Sequence, residues 1–389
     1  MDSSNYPLYR VLALSARAEC SAEQYRQIAQ AAADLTDWTA MSAHAEAHGM
    51  APLVYRHLTA AGVTIPLFVK RELQGLAVRH RLANQIRTRV LTDILTAYES
   101  TGIQAMVLKG AALCHLIYPE PGLRPMRDLD LLVSPADLLR AQRKLTDLEF
   151  HAPLTVAGQN PNHRHLTSAT RQVEGFMIGV EVHHNLFERG SSPILMGIDE
   201  LSSEPLSFAL GSTDTIAQTL GYEDTIWYLC QHLIESTNVF SSVGLIWVAD
   251  VVSFAEHYGA QIDWGKVRRQ YPIVLSTLSL VHFLTPLSDS LVTRAGIEIG
   301  RAPRGLWDDF RKSPRTPPEA TTQEGYALTL RDAFFPSEWW LRLYFGIGSA
   351  HPVSWHHRLQ HLLYLVARFR HVTQRHKRAR NPNLQMREL

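Results

Sequence analysis

Apolar residues recur every three to four positions through roughly the first hundred residues, which predicts a series of helices. One segment begins after Ser21, a residue type that caps helix N-termini, and the next is interrupted at Gly49. A longer helix is predicted to end at Gly102. Its predicted buried stripe comprises Leu73, Leu76, Ala83, Ile86, Val90 and Ile94. We interpret residues 1–102 as an N-terminal helical region that serves packing or, alternatively, substrate specificity.

The pattern then changes to short apolar runs typical of strands. The runs IQAMVL, LDLLV and MIGVEVH are predicted strands, and a helix is expected from Pro135 through Leu148. Residues 103–210 therefore form a predicted small mixed α/β core. Residues 211–389 return to helical patterns and end in a basic tail, and a loop is expected at residues 301–323. The predicted fold class is α+β, a small mixed β-sheet core flanked by N-terminal and C-terminal helical regions.

Composition narrows the class of protein. The formal net charge of +1 gives no global bias toward nucleic acid, so nucleic acid is not an expected partner. Three scattered cysteines argue against a disulfide framework and fit a reducing cytoplasm. Neither a signal peptide nor an apolar run long enough to span a membrane is apparent.

The chemistry concentrates in two apolar strands. Asp128 and Asp130 are two residues apart in RDLDLLV, so their side chains share one face of a strand. Neighbouring carboxylates repel each other unless a cation lies between them, and Mg²⁺ (or Mn²⁺) is the expected cation. Glu181 and His183 share one face of MIGVEVH, where a charge needs a partner or a metal. If these strands are neighbours, Asp128, Asp130 and Glu181 form a metal site.

The same acids predict the effect of their removal. Replacing Asp128 or Asp130 with asparagine is expected to abolish activity while leaving the fold intact or slightly more stable, because one of two repelling charges is lost.

Phosphate binding is predicted next to these acids. Lys109 and Gly110 lie where a strand ends and a helix begins, and glycine lets a backbone approach phosphate closely. Arg124 and Arg127, in the following loop, either clamp phosphate oxygens or pair with a nearby acid. The chain lacks the P-loop, the dinucleotide-binding glycine pattern, the H-E-x-x-H zinc motif and the G-x-S-x-G elbow.

Taken together, LKGAAL, the YPEPGLRPMRDLDLLV block and VEVHHNLF resemble a bacterial family of uncharacterised nucleotidyltransferases within the DNA polymerase β-like minimal nucleotidyltransferase superfamily. The resemblance implies Asp128 and Asp130 as the metal-binding pair and Glu181 as the third acid. Lys109 and Gly110 stand where the superfamily usually has Gly-Gly or Gly-Ser. Some relatives accompany genes for ribosomally made peptide natural products, which hints at a peptide acceptor.

The expected function is a metal-dependent transfer of an NMP unit from a nucleoside triphosphate to a peptide, protein or metabolite, with release of pyrophosphate. The alternatives are phosphoryl or glycosyl transfer on the same fold, or a nucleotide-sensing or partner-binding module with weak catalysis. His165, His183 and His232 are candidate substrate contacts. His232 and Asp250 lie in apolar helices, either near the cleft or as a buried pair that ties two helices together.

Overall fold

The computed structural model describes residues 6–155, 163–188, 196–211, 215–237, 243–307, 334–363 and 365. Most of the loop predicted at residues 301–323, and the basic tail from Arg375, lie outside these residues. The described chain is an α+β fold, in which helices from the N-terminal and C-terminal parts of the chain flank one mixed sheet. The predicted fold class is therefore confirmed.

The N-terminal helices follow the apolar periodicity. Their bounds are α1 (Tyr6–Leu14), α2 (Ala22–Ala33), α3 (Met41–Ala47), α4 (Ala51–Ala60) and α5 (Leu67–Glu99). Ser21 caps α2 in a reciprocal capping box with Gln24, as the sequence predicts for its start. Of the six predicted stripe positions on α5, all are buried except Leu76, which is half-buried.

The sheet has six strands in the order β3-β4-β2-β1-β6-β5. Their bounds are β1 (Ala105–Val107), β2 (Asp128–Val133), β3 (Ala169–Val173), β4 (Phe176–His183), β5 (Leu206–Ala209) and β6 (Ile216–Thr219). The pairs β2–β4 and β1–β6 are parallel, and β1–β2, β3–β4 and β5–β6 are antiparallel. Two shorter helices accompany them, α6 (Lys109–Leu116) after β1 and α7 (Leu138–Asp147) after β2.

Three strands differ from the sequence prediction, which contained only β1, β2 and β4. β3, β5 and β6 are four or five residues long and expose part of their side chains, so they lack a continuous apolar run. β6 pairs with β1, although it begins after the domain boundary predicted at residue 210. The sheet thus extends past that boundary, and the predicted domain division stays a proposal.

The two faces of β2 meet different parts of the core. Leu129 and Leu131 pack in a cluster with Ile86 and Val90 of α5. Leu132, on the opposite face, belongs to the cluster that contains the C-terminal helices. Asp128 and Asp130 alternate with Leu129 and Leu131, so the acids lie on the face toward the C-terminal helices.

The C-terminal helices are α8 (Tyr222–Ser236), α9 (Leu245–Tyr258), α10 (Trp264–Gln270), α11 (Ile273–Val281), α12 (Asp289–Ala295) and α13 (Glu338–Phe345). Residues 355–363 are also helical, in the region predicted as the final helix. Among the described helices, none combines the length and the apolar character needed to cross a bilayer.

Candidate active site

The acids of two strands are brought side by side by the parallel pairing of β2 and β4. In this register Asp130 faces Glu181 and Asp128 faces Gly179. Directly paired residues on neighbouring strands project to the same face of the sheet. The structure therefore gathers Asp128, Asp130 and Glu181 on one face, although about fifty residues separate the two strands in sequence.

Asp130 is the buried centre of this face. Its side chain is 2% exposed, and Oδ1 accepts hydrogen bonds from Lys109 Nζ at 2.7 Å and His183 Nε2 at 2.9 Å. Burial alone would raise the pKa of Asp130, but the Lys109 ammonium and His183 outweigh it and hold this pKa well below its usual range. Asp130 is therefore an anion in the folded protein.

Lys109 reaches Asp130 from a strained turn. Its backbone φ of 49° lies in the left-handed region, which costs a non-glycine residue about 1–3 kcal/mol. Burial lowers the pKa of the Lys109 ammonium, but the neighbouring Asp130 raises it by more than burial lowers it, so the net shift of this pKa is upward. The positive charge of Lys109 is held beside the acids.

Glu181 is half-buried and has partners from two further segments. Its Oε1 accepts a hydrogen bond from Ser168 Oγ at 3.1 Å, and its Oε2 lies 3.5 Å from both His165 Nε2 and His183 Nε2. Burial raises the pKa of Glu181, the hydrogen bond with His183 lowers it, and the net direction is downward. Burial also lowers the pKa of His165 to about 4, so this imidazole is neutral at pH 7.

Three of these side chains fit a shared cation. One ligand atom from each of Asp130, Glu181 and His183 lies within 4.8 Å of the other two. The two carboxylates are ligands that Mg²⁺ and Mn²⁺ prefer, whereas an imidazole is more typical of transition-metal ions. His183 Nδ1 is buried without a hydrogen-bond partner, so Nε2 is the ring atom engaged with both acids.

Asp128 lies outside this compact group. It is exposed, and no residue that the structure describes forms a hydrogen bond or ion pair with its carboxylate. The negative charge of the nearby Asp130 raises the pKa of Asp128 to about 6. Of the predicted metal acids, two belong to the compact group, and His183 completes it in place of the third.

The comparisons with known proteins bear on this geometry. A family model described as an uncharacterised nucleotidyltransferase matches residues 34–275. The chain belongs to this family. No curated protein and no solved structure matches the chain. Membership assigns the general reaction, nucleotidyl transfer, and implies a nucleoside triphosphate as substrate.

Within this nucleotidyltransferase, Arg124 has the second of the two roles left open by the sequence. Its guanidinium forms an ion pair with Asp250 of α9, with Nη2–Oδ2 at 2.6 Å and Nε–Oδ1 at 3.2 Å. The remaining nitrogen donates to the Pro125 carbonyl at 2.8 Å, and Tyr118 donates to Asp250 Oδ1 at 2.8 Å. Every guanidinium nitrogen is therefore already in use within the protein.

The side chain of Arg124 explains why position 110 is a glycine. A Cβ atom at Gly110 would lie 2.3 Å from Arg124 Nη1. The close approach that only glycine permits is thus the approach of an arginine side chain. A phosphate contact by the Gly110 backbone stays a prediction.

The remaining predicted residues are dispersed. Arg127 is exposed beside Asp128. His232 and Asp250 do not pair: His232 lies edge-on to Trp247, with ring centroids 5.5 Å apart, while Asp250 binds Arg124. Burial lowers the pKa of His232 well below its usual value, and the charges of Lys109 and Asp130 also act on it. His232 therefore lies near the site as a neutral ring.

Sequence reasoning missed several neighbours of the acids. Ser168 lies just before β3, a strand without an apolar signal. Tyr228 and Arg164 act electrostatically on Lys109 from α8 and from the segment before β3. The one available signal was the H-R-H triplet, since Arg164 and His165 both reach the site.

Proposed function

We propose that this protein transfers a nucleoside monophosphate from a nucleoside triphosphate to a hydroxyl-type acceptor, with a divalent metal ion held by Asp130, Glu181 and His183. The observation that carries the proposal is the parallel register that sets Asp130 beside Glu181. Family membership supports the reaction class, and the clustered donor atoms support the metal. The metal ion, Mg²⁺ or Mn²⁺, would stabilise charge on the transferred phosphorus and on the leaving pyrophosphate.

The chain's own residues divide the remaining work. Ser168 and His165 orient Glu181 through contacts at 3.1 and 3.5 Å. We assign Lys109 to the phosphate oxygens, because its ammonium is the cation nearest the acids and makes one hydrogen bond, to Asp130. Positioned charges of this kind account for most catalysis of phosphoryl chemistry.

Asp128 is assigned to the acceptor. Its carboxylate is exposed and has no hydrogen-bond partner among the described residues, so it is available to a substrate hydroxyl. In the proposed step the acceptor oxygen bonds to the α-phosphorus and its proton passes to Asp128. The bond from the α-phosphorus to the bridging oxygen breaks, and that oxygen leaves with pyrophosphate. A positioned base contributes about 10²- to 10⁴-fold to such a reaction.

The test is pyrophosphate release from ATP, GTP, CTP and UTP with Mg²⁺ or Mn²⁺, combined with mass spectrometry for added NMP on peptide, protein and metabolite acceptors. We expect pyrophosphate release with at least one nucleotide, and its loss in Asp130→Asn. Asp93→Asn, an exposed acid on α5, is the matched control and keeps activity. Formation of nucleoside diphosphate and a phosphorylated acceptor in place of pyrophosphate would establish phosphoryl transfer, and nucleotide binding with none of these products would establish a sensor.

A further inference from the structure

A cleft lies at the end of the sheet where β2 begins. It has a volume of about 360 Å³ and lies between α5, the loop that precedes Asp128 and the start of β4. Its lining is Glu46, Gly49, Arg79, His80, Ala83, Arg87, Pro125, Met126, Arg127 and Phe176. This lining contains none of the compact metal-binding group, nor Lys109 or Gly110. The cleft is therefore separate from the site already described.

Arg87 is the unusual member of this lining. It is 8% exposed, and its Nε is buried without a hydrogen-bond partner. Nor does its guanidinium form an ion pair anywhere in the described ranges. Arginine does not lose its charge in proteins, and a buried charge without a partner is costly. A group that supplies the missing partner is expected in the cleft.

The charges of the cleft favour an anion. Its one carboxylate, that of Glu46, is already paired with Arg79 and with His80, whose Nε2 lies 2.8 Å away. Arg87 and the exposed Arg127 form no ion pair with a described residue, although the charge of Asp128 acts on Arg87 from outside this lining. Two guanidinium groups at one cleft match phosphate oxygens, which accept their paired N–H donors.

The position of the cleft connects it to the proposed reaction. Arg127 directly precedes Asp128, and the negative charge of Asp128 also acts on Arg87. Met126 and Phe176 give the cleft an apolar wall beside the charged groups. A ligand bound there would present its organic part to these side chains and would lie next to the acid assigned to the acceptor.

We propose that this cleft binds the phosphate group of a phosphorylated acceptor, through Arg87 and Arg127. The cleft itself rests on its own geometry, whereas the identification of its ligand as the acceptor rests on the proposed nucleotidyl transfer. The donor triphosphate offers the same chemistry, so the experiment separates these two sources of phosphate.

The experiment measures the binding of inorganic phosphate and pyrophosphate to the full chain by calorimetry in EDTA. Arg87→Gln removes the buried charge, and Arg127→Gln, at an exposed position, is a variant that keeps the fold. Arg71→Gln, exposed on the same helix α5, is the matched control. We expect at least about tenfold weaker binding in Arg87→Gln, several-fold weaker binding in Arg127→Gln and no change in Arg71→Gln.

The outcomes decide between the cleft and the reaction. The proposed phosphate site would be overturned if the wild type bound neither phosphate nor pyrophosphate. It would also be overturned if Arg87→Gln and Arg127→Gln both bound them as tightly as the wild type does. Phosphate that stays bound when ATP and Mg²⁺ are added supports the acceptor, whereas its displacement by ATP assigns the cleft to the donor. Binding that needs Arg87 in a protein that releases no pyrophosphate would retain the cleft and reject nucleotidyl transfer.

Discussion

Two buried ion pairs of the described chain are built differently. In the pair of Arg124 and Asp250, both carboxylate oxygens accept hydrogen bonds, and Tyr118 adds a third donor. In the pair of Lys109 and Asp130, one oxygen accepts both bonds. The first pair is saturated and fixes α9 to the loop before β2. The second leaves coordination capacity on Asp130, which is what an exchangeable cation requires.

The difference also separates the two cations. The Arg124 guanidinium is planar and uses its nitrogens on fixed acceptors, whereas the Lys109 ammonium ends a flexible stem. A lysine can move or release its proton when its partner changes, but a buried arginine cannot. We therefore expect the first pair to govern stability and the second to govern chemistry.

The largest expected effect is on turnover. Asp130→Asn should lower turnover by at least about a thousandfold, because it removes a proposed metal ligand and the charge that Lys109 neutralises. Its free energy of unfolding should fall by only about 1–2 kcal/mol, because Lys109 ends a flexible stem and the carboxylate of Asp128, whose charge already acts on it, can serve as its counter-ion. Steady-state pyrophosphate release and urea unfolding measure the two quantities. Turnover within about tenfold of the wild type would contradict the assignment.

This expectation differs from the stability effect predicted from sequence alone. That prediction rests on repulsion between Asp128 and Asp130, which the structure offsets at Asp130 with Lys109 and His183. Relief of repulsion applies instead to Asp128, whose raised pKa reflects the field of its neighbour.

The second effect is on stability. Asp250→Asn should lower the free energy of unfolding by about 3–5 kcal/mol, because it leaves the Arg124 charge buried without a counter-ion. Tyr118→Phe removes one hydrogen bond of the same network and should cost about 1 kcal/mol. Asp147→Asn, which breaks an exposed pair with Lys144, is the control at about 0.5 kcal/mol or less. Equal urea midpoints for Asp250→Asn and Asp147→Asn would remove the distinction between the pairs.

The third effect concerns acid between pH 7 and pH 4. This window lies above the ordinary pKa of an aspartate, and the pKa of Asp130 in the folded protein is lower still, so Asp130 is ionised in both the folded and the unfolded chain and contributes little to the slope. His57 is fully buried on the Arg17 carbonyl at 2.8 Å, and burial lowers its pKa to about 4. Between the unfolded pKa of about 6.5 and the folded value, the unfolded chain binds more protons, so stability falls as pH falls. His57 should account for about 3 kcal/mol of this loss.

Urea unfolding from pH 7 to pH 4 measures this slope. His57→Gln keeps a donor for the Arg17 carbonyl and should flatten the curve, whereas His351→Gln, at an exposed position, should not. An unchanged slope in His57→Gln would assign the acid sensitivity elsewhere.

The smallest effect concerns the orientation of Glu181. Ser168→Ala removes the hydrogen bond to Glu181 Oε1 and should weaken activation by Mn²⁺ about tenfold, with turnover at saturating metal unchanged. Thr155→Ala, whose hydroxyl contacts Thr167 at 3.0 Å, is a control for the loss of a nearby hydroxyl pair. A metal titration unaffected by Ser168→Ala would limit Ser168 to a role in folding.

The sequence predicted what local pattern encodes. The alternation around Asp128 and Asp130 indicated a strand with one acidic face, and the isolated charge of Glu181 marked a second strand. The capping pattern at Ser21 predicted the start of α2. Each of these signals is contained within a few consecutive residues, so no knowledge of the fold is needed to use it.

The remainder depends on contacts distant in sequence. Arg124 could equally serve phosphate or an acid, and only the packing of α9 brings Asp250 to it, 126 residues away in the chain. His183 joins the compact group of Asp130 and Glu181 because its side chain turns toward Asp130. Arg87 carried no signal at all, because an arginine in an amphipathic helix is usually exposed.

The hairpin of β3 and β4 gives the acidic face a particular vulnerability. Glu174 and Gly175 form its two-residue turn, both with positive φ, and five residues separate Gly175 from Glu181. Deleting one residue in that interval, with the turn kept, would shift the register by one position. Glu181 would then face the hydrophobic core on the other side of the sheet, and a valine would lie beside Asp130. We therefore expect members of this family to tolerate substitutions in this interval far better than deletions.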